Sequence, residues 1–163
     1  MADESHALAG TSLRQFCTFE VAGRLFGVDI LDVKEINAET DFTPVFHAPP
    51  DVKGYVNIRG QIHLVLNLRR MLGFAGDEAS CSESRRLVIF KPAVGEAFAV
   101  LVDRIGDILT VDQAGIEDVE SDALGDAKIG DGAQTHLMLG VYKLPDRLLV
   151  ILDARRFLPT LVS

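Results

Sequence analysis

The chain has 163 residues, with 16 Lys plus Arg against 24 Asp plus Glu, a net charge of −8, 48% hydrophobic residues, two cysteines and no tryptophan. That length holds one compact domain, or two small halves that share a core. The acidic balance excludes a stand-alone binder of nucleic acid or of anionic membranes, because both need a basic surface that displaces counterions from phosphates. The longest uninterrupted apolar run, Ala97 to Val102, falls far short of the roughly 20 residues that cross a bilayer. Asp3 and Glu4 stand where a secretory leader would carry Lys or Arg, so a cytoplasmic location is expected. Cys17 and Cys81 have no disulfide or Cys-x-x-Cys spacing and read as buried or indifferent thiols.

Residues 1–13 mix small and charged types without period and read as a disordered tail, with order beginning near Arg14. From Phe16 the apolar residues fall into short runs bounded by turn signals. Phe16 to Val21 leads into Ala22-Gly23-Arg24, after which Phe26, Val28 and Ile30 alternate against Gly27 and Asp29. This is the period of two that marks a β-hairpin. Phe46 to Pro50 cannot continue a ladder, since Pro49 and Pro50 lack N–H donors, and is expected to be a loop. The hairpin pattern returns at Leu87 to Phe90, Ala97 to Val102 and Leu148 to Leu152. Short helical turns are expected at Leu68 to Leu72, ending at Gly73, and at Ala154 to Leu158, ending at Pro159. Ala75 to Ser84 and the acidic stretch Asp112 to Asp131 read as exposed connections.

An internal repeat organises these elements. Residues 54–72 align without a gap on residues 140–158, a constant offset of 86. Gly54/Gly140, Leu66/Leu152, Arg69/Arg155, Arg70/Arg156 and Leu72/Leu158 are identical pairs. The segments from Phe16 and from Leu87 also correspond, with one extra residue in the second hairpin turn. Each copy has too few apolar residues for an independent sandwich, and closing each into a small barrel covers its edges. The expected fold is therefore all-β: two small five-stranded antiparallel barrels about a pseudo-twofold axis, with short helical turns and a groove between the barrels. The domain is expected to span residues 14–160, its repeats at about 14–84 and 85–160, with strands free to interlock.

Signals for catalysis are absent: no Walker loop, dinucleotide fingerprint, nucleophile elbow or His-Glu-x-x-His occurs. His6, His47, His63 and His136 lack ligand spacing, and the acidic stretch lacks the oxygen ladder of a calcium loop, so no metal or cofactor is expected. The doublets Arg69-Arg70 and Arg155-Arg156 read as structural, paired locally. Gly54 to Gly60 brackets Asn57 and Arg59 between glycines, a layout that suits either a plain hairpin turn or a turn that presents an Arg fork.

FGVDILDVKEI at 26–36, VKGYVNIRG at 52–60 and LVLNLRRML at 64–72 together resemble the CheW chemotaxis coupling protein family. The likeness continues through LVIF at 87–90, VLVDRIGDIL at 100–109 and LGVYKLPDRLLVILDARRFL at 139–158. It implies two barrels of SH3-like topology and a non-catalytic cytoplasmic scaffold recruited to membrane-associated receptor arrays. The implied partners are the regulatory domain of a CheA-type histidine kinase and the cytoplasmic tip of a methyl-accepting chemoreceptor. Position by position, the resemblance puts Val33 and Glu35 at the kinase. It puts Gly54, Asn57, Arg59, Gly60, Val88 and Ile89 at receptor or array contacts. The chain departs from the family pattern at Leu64, where proline is expected, and at Asn67, where aspartate is expected, which leaves any ionic lock weaker in this half than at Asp153. A divergent module that binds a receptor or another signalling protein without the kinase is the alternative. An enzyme would need titratable side chains converging between the barrels.

Overall fold

The computed structural model describes residues 12–38, 41–74, 83–118 and 135–161. Most of the expected tail, Cys81, His6 and much of both exposed connections lie outside the described residues. The first hairpin pairs β1 (Leu13–Val21) with β2 (Arg24–Asp29), and a single 3-10 turn leads into β3 (Val33–Asn37). The proline loop follows, then the hairpin of β4 (Val52–Ile58) and β5 (Gln61–Leu66), and a one-turn helix α1 (Leu68–Met71). The second repeat runs through β6 (Arg86–Phe90), β7 (Phe98–Val102), β8 (Arg104–Asp112), β9 (Met138–Lys143) and β10 (Leu148–Leu152). It ends in helix α2 (Phe157–Leu161), which continues through Pro159 because a proline in a first turn forfeits no intrahelical hydrogen bond.

The strands form two five-stranded sheets, ordered β8-β1-β2-β10-β9 and β3-β6-β7-β5-β4. Each sheet draws on both repeats: the first hairpin of one repeat joins the last three strands of the other. Two joints make this exchange, β2 with β10 and β7 with β5, and both are parallel where antiparallel pairing was expected. The registers repeat as well, Val150 facing Phe26 in one joint and Leu64 facing Phe98 in the other. At the second joint the Leu64 N–H donates to the Ala97 carbonyl at 2.9 Å, a bond that proline at this position would forfeit.

Each sheet closes on itself through a segment that follows one of its edge strands. Beyond β3, Thr43 exchanges two backbone hydrogen bonds of 2.8 Å with Tyr55 of β4. Beyond β8, Glu117 makes the same pair of 2.8 Å bonds with Val141 of β9, so the start of the expected acidic connection belongs to the barrel. Tyr55 and Val141 are repeat equivalents, and the glycine before each explains the identity of Gly54 and Gly140. A Cβ on Gly54 would lie 2.4 Å from the Thr43 carbonyl oxygen, and one on Gly140 would lie 2.7 Å from that of Glu117.

Three apolar cores result. Val56, Ile58, Val65, Ile89 and Leu101 fill one barrel, and Phe16, Val111, Leu149 and Ile151 fill the other. The largest core lies between the barrels, where Phe19, Phe26 and Val150 of one sheet meet Phe90, Phe98 and Val100 of the other, with Leu68, Met71 and Phe157 from the helices. Phe90 stacks on Phe98 at 5.0 Å and meets Phe157 edge-on at 5.9 Å. The expected groove is thus packed solid, because strands such as β6 and β7 are apolar on both faces and must bury both.

The arginine doublets pair across the repeats as well as locally. Arg69, after β5, bonds Asp103 at 2.9 Å, while Arg155, after β10, bonds Asp32 at 3.3 Å, so each repeat's arginine grips the aspartate that precedes an edge strand of the other. Asp103 also accepts the Ala22 N–H at 2.8 Å, tying the first hairpin into the joint. Asn67 and Asp153 cap the turns that carry the doublets. Asp153 pairs with Arg156 at 3.2 Å, whereas Arg70 reaches Asp51 at 3.5 Å. At the capping positions the ionic lock lies with Asp153, as expected, while of the two pairs that cross the repeats Arg69–Asp103 is the more buried, with side-chain exposures of 15% and 10% against 55% and 17% for Arg155 and Asp32.

Arg69→Ala is expected to cost about 3 kcal/mol of unfolding free energy by leaving the buried Asp103 without its counter-charge, and Arg155→Ala about 1 kcal/mol or less, as measured by urea denaturation. Gly54→Ala is expected to lower stability by about 2–4 kcal/mol, whereas Gly60→Ala, which meets no atom within 4 Å, carries only the strain of its turn conformation.

Candidate functional site

The hairpin that joins β4 to β5 is a two-residue turn between the paired residues Ile58 and Gln61. Arg59 has φ +51° and Gly60 φ +86°, the twist of a type I′ turn, which matches the handedness of the flanking strands. The Asn57 side-chain oxygen accepts the Gly60 N–H at 2.8 Å. From this turn the Arg59 guanidinium donates to the Glu35 carboxylate on β3, and the Asn37 amide donates to the other Glu35 oxygen at 3.3 Å. Around the pair lies a recess of about 160 Å³ lined by Lys34, Ile58, Gln61, His63 and Ile89. His63 is buried, its Nδ1 lying 3.2 Å from the Gln61 carbonyl.

The hydrogen bond from Arg59 holds the Glu35 carboxyl below its ordinary value, against desolvation and with further help from Asn37. Near the barrel joint, burial pushes Asp32 up, and Arg155 only partly offsets it. Burial also raises the Cys17 thiol, which disfavours its nucleophilic thiolate. No group of His, Cys, Asp and Glu able to hold a metal occurs among the described residues. The charged recess can recognise a polar partner surface, and the space between the barrels presents apolar packing where an enzyme would need converging titratable groups.

The structure brings Glu35, Arg59 and Ile89 to one recess and places Asn57 and Gly60 in the turn beside it. Glu35 and Arg59, expected at different partners, are a single ion pair. Val33 is half-buried against the inter-barrel core and Val88 is wholly inside it. Gly54 lies under Thr43. None of these three is among the residues that line the Glu35–Arg59 recess.

A second surface escaped the sequence reading. Leu31, at 71% exposure, and Leu13, at 56%, flank a recess of about 210 Å³ with Arg14, Gln15 and Ile30, and Ile108, also at 56%, lies on the same face of the β1–β8 pair. The apolar doublet Ile30-Leu31, which breaks the alternation of β2, is the signal that could have found it. A further recess, of about 470 Å³, lies by the β1–β2 and β9–β10 turns and is lined by Leu25, Leu144 and Leu148 with Arg24, Lys143 and Arg147. Arg147 pairs there with Glu20 at 3.3 Å and Lys143 with Glu117 at 3.7 Å.

A family model described as CheW-like domain matches residues 15–161. Chemotaxis protein CheW of Rhizobium meliloti is 33% identical over 112 residues, covering 67% of this chain and 70% of that protein. Chemotaxis protein CheW of Klebsiella aerogenes is 28% identical over 153 residues, covering 93% of this chain and 86% of that protein. The crystal structure of the scaffolding protein TtCheW from Thermoanaerobacter tengcongensis superposes with a TM-score of 0.70 at 23% identity, over 86% of this chain and 89% of that one, and shares the fold. No helix among the described residues is long and apolar enough to cross a membrane.

Because Glu35 is held low in the folded state, its contribution to stability is complete above the ordinary carboxylate range and is lost as pH falls through the depressed value. In a carbon-detected NMR titration, Glu35 is expected to titrate below a typical glutamate and to return to the ordinary range in Arg59→Ala. Asp32 is expected to titrate in the opposite sense, above its ordinary value, so its ionisation reduces stability as pH rises through that raised value.

Proposed function

Because the chain belongs to the CheW-like domain family and is a non-catalytic chemotaxis adaptor, we propose that it couples methyl-accepting chemoreceptors to a CheA-type histidine kinase through two separate faces of the barrel pair. The kinase's regulatory domain docks at the Glu35–Arg59 recess. The observation that carries this reading is the ion pair itself: a partner that engages Glu35 on β3 also meets Arg59 on the β4–β5 turn, so the positions expected at the kinase and at array contacts act as one recognition element. Ile58 and Ile89 line it, Asn57 and Gly60 shape the turn at its rim, and Val33 anchors β3 to the core between the barrels.

The cytoplasmic tip of the receptor docks on the apolar face around Leu13, Ile30, Leu31 and Ile108, where exposed aliphatic side chains supply the desolvation that a polar rim cannot. Binding both partners recruits the adaptor to receptor arrays at the membrane without any insertion of its own.

Calorimetric titration with the kinase regulatory domain tests the first face. Glu35→Lys is expected to weaken binding about tenfold or more with the unfolding midpoint preserved, since it places like charges side by side at a docking rim. Unchanged affinity would remove this face from the kinase interface. Leu31→Asp is expected to leave that affinity unaltered while lowering co-sedimentation with receptor-bearing membranes; normal co-sedimentation would reject the receptor face.

A further inference from the structure

The Arg59-Gly60 turn adopts a conformation that its repeat equivalent does not share. Its repeat equivalent, at the offset of 86 residues, is Pro145-Asp146, which turns the β9–β10 hairpin between Leu144 and Arg147 with a 2.8 Å bond from the Leu144 N–H to the Arg147 carbonyl. Neither Pro145 nor Asp146 has a positive φ, whereas Arg59 is held at +51°, where side chains other than glycine and asparagine are uncommon. The residue equivalent to Asn57 is Lys143, whose side chain cannot accept a backbone N–H. The left-handed arginine and the asparagine that accepts the next N–H therefore occur together, and in the half where the turn's side chain reaches back to an edge strand.

We propose that Asn57 is a positioning residue of the recognition site: by holding the Gly60 N–H it fixes the turn that aims the Arg59 guanidinium at Glu35, so that the pair meets its partner in one geometry. This rests on the reading that the recess docks the kinase. A turn free to relax to ordinary φ values swings the Arg59 Cα–Cβ bond away from β3. The pair must then be assembled at the moment of docking, and that ordering weakens affinity. The low titration of Glu35, set first by its hydrogen bond from Arg59, supplies an internal reporter of the aim.

The test measures two quantities on the full chain, the Glu35 carboxyl titration by NMR and the affinity for the kinase regulatory domain by calorimetry, in Asn57→Ala, Asn57→Asp and Arg59→Ala. Asn57→Ala is expected to raise the Glu35 titration toward that of Arg59→Ala and to weaken kinase binding about tenfold. Asn57→Asp, which keeps an acceptor for the Gly60 N–H, is expected to restore both. If Asn57→Ala does not fold, Asn57→Lys, carrying the residue that the other repeat tolerates at this place, takes its role. A Glu35 titration unmoved by the Asn57 variants but moved by Arg59→Ala overturns the positioning role. An affinity unmoved by Arg59→Ala overturns the kinase reading instead, and the titration alone then decides whether Asn57 aims the arginine.

Discussion

At two places a backbone carbonyl passes over a glycine so closely that a Cβ there would collide with it. Thr43 lies across Gly54 and Glu117 across Gly140, and at each place two backbone hydrogen bonds turn an open five-stranded sheet into a closed barrel. Without that closure, edge strands would offer unpaired N–H and C=O groups to other chains. It also brings the β4–β5 hairpin round to β3, where Arg59 meets Glu35. The glycines are identical in the two repeats because a Cβ at either place would collide with the closing backbone.

Exchange of hairpins between the repeats has a further consequence. The main core lies between the barrels, and the parallel joints and crossed Arg69–Asp103 and Arg155–Asp32 pairs bind the repeats into one body. Neither repeat could bury its own apolar strands alone. Moving one barrel against the other would open a core of close-packed phenylalanines, so the two surfaces proposed for docking keep a set separation and orientation.

The pseudo-symmetry makes the departures informative. Where the repeats agree, as in the closing glycines, the capping Asn67 and Asp153 and the first arginine of each doublet, the residues serve the fold. Where they differ, as at Arg59-Gly60 against Pro145-Asp146, the fold is satisfied either way and the difference is available to recognition. Glu35 and Arg59 can be read in this light: the ion pair is exposed, contributes little to stability, and stands at the rim of a recess.

The repeat at offset 86, the alternation in the hairpins and the glycine and proline punctuation determined from the sequence alone that the protein is all-β, doubled and five-stranded in each half, and the motifs running from Phe26 to Leu158 determined its family. Those features are local, and a period of two or a recurring motif is visible without knowing what packs on it. Tertiary structure alone decided that the repeats exchange hairpins through parallel joints, that the expected groove is a core, and that Val88 and Gly54 lie beneath the surface. It also decided that Glu35 and Arg59, 24 residues apart in the chain, form one site. Which strands become neighbours depends on how all the apolar faces are buried at once, and a linear sequence does not display that simultaneous solution.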